Sequence, residues 1–186
     1  IPDLKIIPTT IDLSGAEIEF SHEINREKVL LEKIQKLKGE FDYILIDSPP
    51  SLGLLTVNAL TASDEVIVPL QCEFYALEGL TQLLKTIKIV KFKLNPELVL
   101  KGIVLTMFDK RNKLSELVEN DVRSFINDKV YKTVIPRNVR LSEAPSHGLP
   151  VLLYDTNCAG SKAYVSLASE ILIQEGISKW LIKKRD

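Results

Sequence analysis

The sequence predicts an α/β domain with a mostly parallel sheet and helices on both faces. Several apolar runs lack the polar alternation of half-exposed strands, which indicates strands buried on both faces. These runs alternate along the chain with segments of helical periodicity, and this order favours strand–helix–strand units. The composition agrees, since 45% hydrophobic and 26% charged residues in 186 are ordinary for a globular domain. We therefore interpret residues 1–186 as a single domain.

Each predicted element rests on a local pattern. Leu30, Ile34 and Leu37 recur at helical spacing, and Gly39 follows as a stop signal. Longer helical stripes cover residues 80–90 and 114–125, and another begins at Tyr164. The predicted strands are residues 4–7, 43–46, 65–68, 98–105 and 130–135, the third of them ending at Pro69.

Ligands of parallel α/β sheets bind beyond the carboxyl ends of the strands, so the residues after each run are the site candidates. The sharpest is Asp47, which follows four apolar residues. A carboxylate there can hold a hard cation that bridges phosphate oxygens. The alternative is a turn or helix cap, a common role for Asp at the end of a strand.

Long blocks of the sequence carry a resemblance to a known family. They are ILIDSPPSLGLLTVNAL (44–60), QCEFYALEGLTQLL (71–84), LTMFDKRNKLS (105–115) and VIPRNVRLSEAPSHGLPVLLYD (134–155), fading through GSKAYVSLASE (160–170). In this order they resemble the ParA-type partitioning ATPases of the deviant-Walker P-loop NTPase class, the Soj-like chromosomal branch especially. The resemblance covers nearly the whole chain.

The resemblance implies roles for particular residues. Asp47 matches the Walker B carboxylate that holds Mg²⁺, and residues 49–55 match a switch-like stretch that responds to the γ-phosphate. The residues that match the segments flanking the adenine of ATP are Thr106, Met107, Pro136, Arg137 and Asn138. The resemblance further implies an ATP-dependent homodimer, non-specific DNA binding, stimulation by a ParB-type centromere-binding protein, and a cytoplasmic, nucleoid-associated location.

One family feature is absent from the printed sequence. The family begins with a strand and a Gly-rich loop that cradles the phosphates, yet no Gly-x-x-x-x-Gly-Lys-Ser/Thr occurs here. We expect the missing strand to leave unpaired backbone groups at the centre of the sheet. Phosphoryl transfer depends on positioning and charge stabilisation, so we expect no useful ATP hydrolysis. Two functions stay open: a partitioning ATPase represented by its C-terminal portion, and a non-catalytic remnant or DNA- or partner-binding module.

Charge is uneven along the chain. The total is −1, yet residues 129–186 hold nine Lys and Arg against five Asp and Glu. DNA contacts are therefore expected from this third of the chain, although ordinary surface cations are an equal alternative for each. The candidates are Lys129, Lys132, Arg137, Arg140 and Lys162.

Other features are weaker. The apolar and basic tail, residues 177–185, suits either an anionic membrane surface or packing on the body; we favour packing and expect no membrane partner. Ser142, Glu143 and His147 lie close together, but a Pro- and Gly-containing loop rarely holds triad geometry. Cys72 and Cys158 lack metal or redox spacing, which suits a reducing compartment.

Overall fold

A computed structural model describes residues 1, 3–10, 13, 15–49 and 51–177. Short 3₁₀ turns at Phe20–His22, Arg26–Lys28, Gln35–Leu37, Asn127–Lys129 and Ala144–His147 join the longer elements. In chain order those elements are α1 (Ala16–Glu19), α2 (Val29–Ile34), α3 (Leu54–Ala62), β1 (Glu65–Gln71), α4 (Ala76–Lys93), β2 (Val99–Thr106), α5 (Lys113–Ile126), α6 (Val139–Glu143), α7 (Val151–Tyr154) and α8 (Ala159–Gln174).

The chain divides into two compact units. The first unit comprises residues 1–66 and 83–99, and the second comprises residues 67–82 with the described residues from Leu100 onward. Because β1, α4 and β2 each pass from one unit into the other, the division does not follow element boundaries. The single-domain interpretation stays a prediction.

Strands β1 and β2 pair in parallel through the crossover helix α4. At the amino ends, Val99 N–H donates to the Asp64 carbonyl over 3.0 Å. At the carboxyl ends, Cys72 N–H donates to the Thr106 carbonyl over 3.1 Å. The α/β class with a parallel sheet is thereby confirmed.

Residues 130–136 run beside β2 without forming the continuous strand that the sequence predicts. Two isolated parallel bridges, Ile103 with Val130 and Phe108 with Pro136, mark the pairing. Between them, Glu170 on α8 accepts hydrogen bonds from the N–H groups of Lys132 (2.8 Å) and Thr133 (2.9 Å). The strand is interrupted because a side chain takes backbone donors that a ladder requires.

The core of the second unit surrounds β2. Ile103 and Leu105 are fully buried, and Val104 between them is buried as well, so both faces of the strand are covered as the apolar run predicts. Val104 packs with Tyr131, Ile135 and Leu167 on α8. This packing fixes the end of β2, from which the candidate site begins.

Two predicted strands are wrong. Residues 4–7 and 43–46 lie outside the strands, and their side chains are largely exposed, Leu45 to 89%. An apolar run becomes a strand only when a neighbour pairs its backbone, and the sheet of the described residues contains only β1 and β2.

Other boundaries shift. Strand β1 continues through Pro69 to Gln71, since an edge strand tolerates a residue without an N–H. The helical stripes are confirmed as α2, α4, α5 and α8, the last starting earlier than predicted. Helix α3 follows the predicted switch-like stretch and had no predicted counterpart.

Candidate functional site

The chain turns sharply as it leaves β2. Thr106 ends the strand, and Met107 adopts a left-handed backbone conformation with φ of 53°. This conformation is uncommon for a residue with a side chain and costs on the order of 1 kcal/mol. It clusters at ligand sites more often than elsewhere, which makes the Met107 turn a place to look for binding.

Residues 135–137 are hydrogen-bonded to this turn. Phe108 N–H donates to the Ile135 carbonyl over 3.2 Å, and Arg137 N–H donates to the Phe108 carbonyl over 2.9 Å. The two segments that the resemblance matches to the two sides of a base are thus brought together. We call residues 106–108 and 136–138 the base platform.

Asn138 closes the base platform as the N-cap of α6. Its Oδ1 accepts a hydrogen bond from Arg140 N–H over 3.0 Å, a typical capping geometry. The side-chain oxygen is thereby committed to the helix, and the amide NH₂ is the part of Asn138 that can donate to a ligand.

Arg137 forms a loose surface ion pair. Its Nη2 lies 3.9 Å from Glu73 Oε1, and both side chains are 60% exposed. A pair of this length and exposure contributes little to stability. The guanidinium can therefore turn to an anionic ligand at small cost.

Asp109, just beyond the platform, is one of the residues after a strand at which the sequence predicts a site. Its carboxylate accepts hydrogen bonds from the backbone N–H and guanidinium of Arg111, at 2.9 to 3.0 Å. The side-chain and backbone hydrogen bonds from Arg111 lower the pKa of Asp109 to about 2. The hydrogen bond from the Arg111 N–H to the Asp109 side chain is an Asx-turn, a local arrangement typical of Asp at a turn.

Asp47 lies in the first unit, on exposed chain between residues 43–46 and α3. The residues that follow it are tied to α3 by Thr56, whose side chain is buried. Ser48 Oγ donates to Thr56 Oγ1 over 3.4 Å, and the Thr56 hydroxyl contacts the carbonyls of Pro49 (3.3 Å) and Ser51. Of the predicted switch-like stretch, only Pro50 lies outside the described residues.

Asp47 is suited to a magnesium ion only when nucleotide phosphates also coordinate that ion. Among the described residues there is no group of three or more His, Cys, Asp or Glu that could hold a metal ion. One carboxylate such as Asp47 is nevertheless a usual protein ligand of Mg²⁺ when nucleotide phosphates and water supply the rest. Asp47 is therefore chemically suited to a nucleotide-bound ion and insufficient for a free one.

The predicted DNA contacts differ in their surroundings. Lys129, Lys132 and Lys162 have exposed side chains. Arg140 is already paired, since its guanidinium lies 2.8 Å from Glu143 and 3.4 Å from Asp155. The hydrogen bond and charge of Glu143 raise the pKa of Arg140, so its charge is held within the α6 region.

The loop that contains Ser142, Glu143 and His147 is organised by other contacts. His147 stacks on Tyr154 with ring centroids 4.9 Å apart, and the Tyr154 hydroxyl donates to Glu143 over 3.3 Å. Glu143 thus contacts Tyr154 and Arg140, which disfavours its use in a nucleophile–base pair with Ser142 or His147. The tail beyond Ile177 lies outside the described residues, and no helix within them is long and apolar enough to cross a membrane.

Comparison with known proteins identifies the family. A family model described as an AAA domain matches residues 1–100. The chromosome partitioning protein ParA of Caulobacter vibrioides is 57% identical over 94% of this chain and 66% of its own length. The sporulation initiation inhibitor protein Soj of Bacillus subtilis is 55% identical over 92% of this chain and 68% of its own. The chain thus spans about two thirds of the length of these relatives.

A solved structure shares the fold. Cobyrinic acid a,c-diamide synthase from Mycobacterium smegmatis, crystallised with an ATP analogue and magnesium, aligns with a TM-score of 0.71 at 38% identity. The alignment covers 87% of this chain and 60% of that protein. With relatives of more than 50% identity along nearly its whole length, this chain belongs to the ParA/Soj family of partitioning ATPases, which are P-loop NTPases.

Proposed function

We propose that this chain acts as a chromosome-partitioning ATPase when a phosphate-binding loop is supplied, and that the base platform binds the adenine of ATP. The observation that carries the proposal is the backbone pairing of residues 135–137 with Phe108, which joins both predicted base-flanking segments. The name of the Caulobacter vibrioides relative, a chromosome partitioning protein, supports partitioning as the process.

The platform has the chemistry that a purine needs. Met107 and Pro136 are both half-buried and offer apolar surface for the faces of the ring. Asn138 has an amide NH₂ to donate to a ring nitrogen, because its oxygen is held by Arg140 N–H. Thr106 is the last residue of β2 and directly precedes Met107. Its carbonyl already accepts a hydrogen bond from Cys72 N–H. Arg137 supplies a positive charge whose ion pair with Glu73 is long and exposed.

Asp47 would hold Mg²⁺ together with the phosphates of the nucleotide. A magnesium ion held there would supply positive charge to the phosphates. Thr56 would hold Ser48, Pro49 and Ser51 in one arrangement through its hydroxyl contacts. A change in those contacts is the step by which this stretch would respond to the γ-phosphate.

Hydrolysis needs a phosphate cradle in addition. The 186 residues contain no Gly-x-x-x-x-Gly-Lys-Ser/Thr, and backbone N–H groups with a lysine at such a loop supply most of the charge stabilisation. We therefore expect these residues alone to release no phosphate, and expect activity once the loop is supplied.

The remaining family properties are part of the same proposal. They are an ATP-dependent homodimer, stimulation by a ParB-type protein and non-specific binding of nucleoid DNA. Lys129, Lys132 and Lys162 are the DNA contacts supported by exposure. Arg140 is a weaker member of the set, since Glu143 and Asp155 already neutralise it.

The absence of the phosphate-loop motif from the printed sequence favours one alternative, a non-catalytic module that binds DNA or a partner. The two functions differ in one requirement. Only the ATPase needs Asp47, because a module that acts through basic surface residues does not use a magnesium ligand.

Genetic complementation tests the proposal. A chimera of the N-terminal segment of the Caulobacter vibrioides ParA followed by this chain is expressed in cells depleted of that ParA. We expect restored chromosome segregation, scored as the fraction of cells without DNA, and loss of the rescue with Asp47→Ala. Equal rescue by the chimera and its Asp47→Ala variant would favour the non-catalytic module.

A further inference from the structure

The end of helix α4 carries a groove that the proposed function does not use. It lies wholly in the first unit and measures about 750 Å³. Lys85, Ile89, Phe92 and Pro96 follow each other at spacings of four, three and four residues, so they share one face of the helix and its continuation. Lys88 and Lys93 flank this line. We call these six residues the α4 groove.

The apolar residues of the α4 groove are exposed although α4 has a buried side. Ile87 and Val90 on the same helix are buried in the body of the protein, while Phe92 is 85% exposed and Ile89 56%. Exposure of two neighbouring apolar side chains to water is energetically unfavourable, and burying them against a partner would be favourable. Such a pair is typical of the anchor of a binding surface.

The charged side chains that line the groove are all lysines. Residues 83–96 contain four lysines and no acidic residue. Lys91 is held within the protein, since its Nζ donates to the Leu98 carbonyl over 2.7 Å. Lys85, Lys88 and Lys93 form no ion pair with a residue in the described part of the chain, so three cations surround the exposed Ile89 and Phe92.

We propose that the α4 groove binds an acidic, amphipathic segment of a partner protein. Apolar side chains of the segment would cover Ile89, Phe92 and Pro96, and its carboxylates would pair with Lys85, Lys88 and Lys93. Complementary charge at the rim of an apolar anchor sets the partner choice and speeds association. This inference is independent of the base platform, which lies in the second unit.

A peptide fits the groove better than a lipid surface or DNA does. Helices that lie on membranes present a broad apolar face, whereas here Ile87 and Val90 point into the protein and only Ile89 and Phe92 remain outside. Phosphate contacts of DNA need the lysines but leave Phe92 and Ile89 in water. A segment with both carboxylates and apolar side chains satisfies all six residues of the α4 groove.

Fluorescence anisotropy with defined probes tests the proposal on the full chain. The probe is a short fluorescein-labelled peptide of Glu, Leu and Phe whose apolar residues recur at i, i+3, i+4 and i+7. The matched probe has every Glu replaced by Gln. Anionic phosphatidylglycerol vesicles and random-sequence duplex DNA are tested alongside it.

Two sets of variants locate the binding. We expect the triple change Lys85→Gln, Lys88→Gln, Lys93→Gln and the single change Phe92→Ala each to weaken the acidic peptide about tenfold or more. The control is Lys33→Gln, Lys36→Gln, Lys38→Gln, which removes the same charge from exposed positions of the same unit and should leave affinity unchanged. Because all these side chains are exposed, the fold should tolerate each variant, which circular dichroism checks.

The result that overturns the proposal is also defined. Equal binding of the acidic and Gln peptides, or equal loss in the two lysine triples, shows that the α4 groove does not recognise an acidic segment. Binding of vesicles or DNA through Phe92 and the three lysines, without binding of the acidic peptide, assigns the groove to that other ligand instead.

Discussion

Two apolar runs of similar composition have different structures in the two units. Residues 103–105, Ile-Val-Leu, lie in β2 with neighbours on both sides, and all three are buried. Residues 43–46, Tyr-Ile-Leu-Ile, lie outside the strands with Leu45 largely in water. The comparison shows that an apolar run specifies a buried strand only where a second segment pairs with its backbone.

Truncating one leucine in each run tests this comparison, and we expect the largest difference in the free energy of unfolding for this pair. Leu105→Ala removes a fully buried side chain and should lower the free energy of unfolding by about 2–5 kcal/mol. Leu45→Ala removes a side chain that is already exposed and should change it by less than about 0.5 kcal/mol. Urea unfolding followed by circular dichroism measures both. A loss at Leu45 as large as that at Leu105 would mean that residues 43–46 are buried in solution.

A second pair of substitutions probes the packing beside β2. A Cβ atom at Gly102 would lie 2.5 Å from Cε2 of the buried Tyr131 ring and 3.1 Å from the Lys129 carbonyl oxygen. Gly102→Ala should therefore destabilise the protein by about 1–3 kcal/mol through overpacking. The control, Gly79→Ala in α4, has no atom within 4 Å and should be neutral or stabilising by up to about 1 kcal/mol. Equal unfolding midpoints for the two variants would contradict the close approach of Tyr131 to β2.

The first unit has its own stabilising residue in Asn58, which is buried. Its Oδ1 accepts from Leu30 N–H over 3.1 Å, and its Nδ2 donates to the carbonyls of Arg26 (2.9 Å) and Leu54 (3.0 Å). Asn58→Ala leaves these backbone groups without their partner and should cost about 1–3 kcal/mol. Gln35→Ala at an exposed position is the matched control. Equal free energies of unfolding for Asn58→Ala and Gln35→Ala would mean that residues 26–34 do not depend on α3 for their position.

The smallest expected effect is a dependence on pH in the second unit. Partial burial raises the pKa of Glu170, but the hydrogen bonds from Lys132 and Thr133 outweigh it and hold the pKa below its ordinary 4.5. A lowered folded-state pKa stabilises the protein above pH 4.5, and this contribution is lost as the pH falls through the folded-state value. As the pH is lowered below 4.5, the unfolding midpoint should decrease, and the decrease should be less steep in Glu170→Gln. Identical pH profiles for the two proteins would remove Glu170 from this role.

The sequence predicts the parts of the fold that depend on local pattern. The stripes of α4 and α5 and the double-faced burial of β2 follow from residue spacing alone, and their positions are confirmed. The interruption of residues 130–135 could not be predicted, because it depends on Glu170, which is 37 residues from Thr133 along the chain. The strand expected at residues 43–46 fails for the same reason, since pairing is a non-local property.

The candidate site also contains residues that could be predicted and residues that could not. Thr106, Met107 and residues 136–138 could be named from the resemblance, and the structure joins the two segments through Phe108. The left-handed turn at Met107 has no local signal, because a methionine gives no indication of positive φ. Thr56 was also missed, since a buried threonine that contacts Ser48, Pro49 and Ser51 looks in sequence like any helical residue.

Phosphate release from Mg-ATP tests the central claim most directly. The claim is that these 186 residues contain the base platform and the magnesium carboxylate of a partitioning ATPase, and that hydrolysis needs the phosphate loop in addition. We expect no release above background from the chain alone, release from the chimera with the N-terminal segment of the Caulobacter vibrioides ParA, and loss of that release with Asp47→Ala. Steady release from the 186 residues alone that depends on ATP and is abolished by Asp47→Ala would contradict the claim.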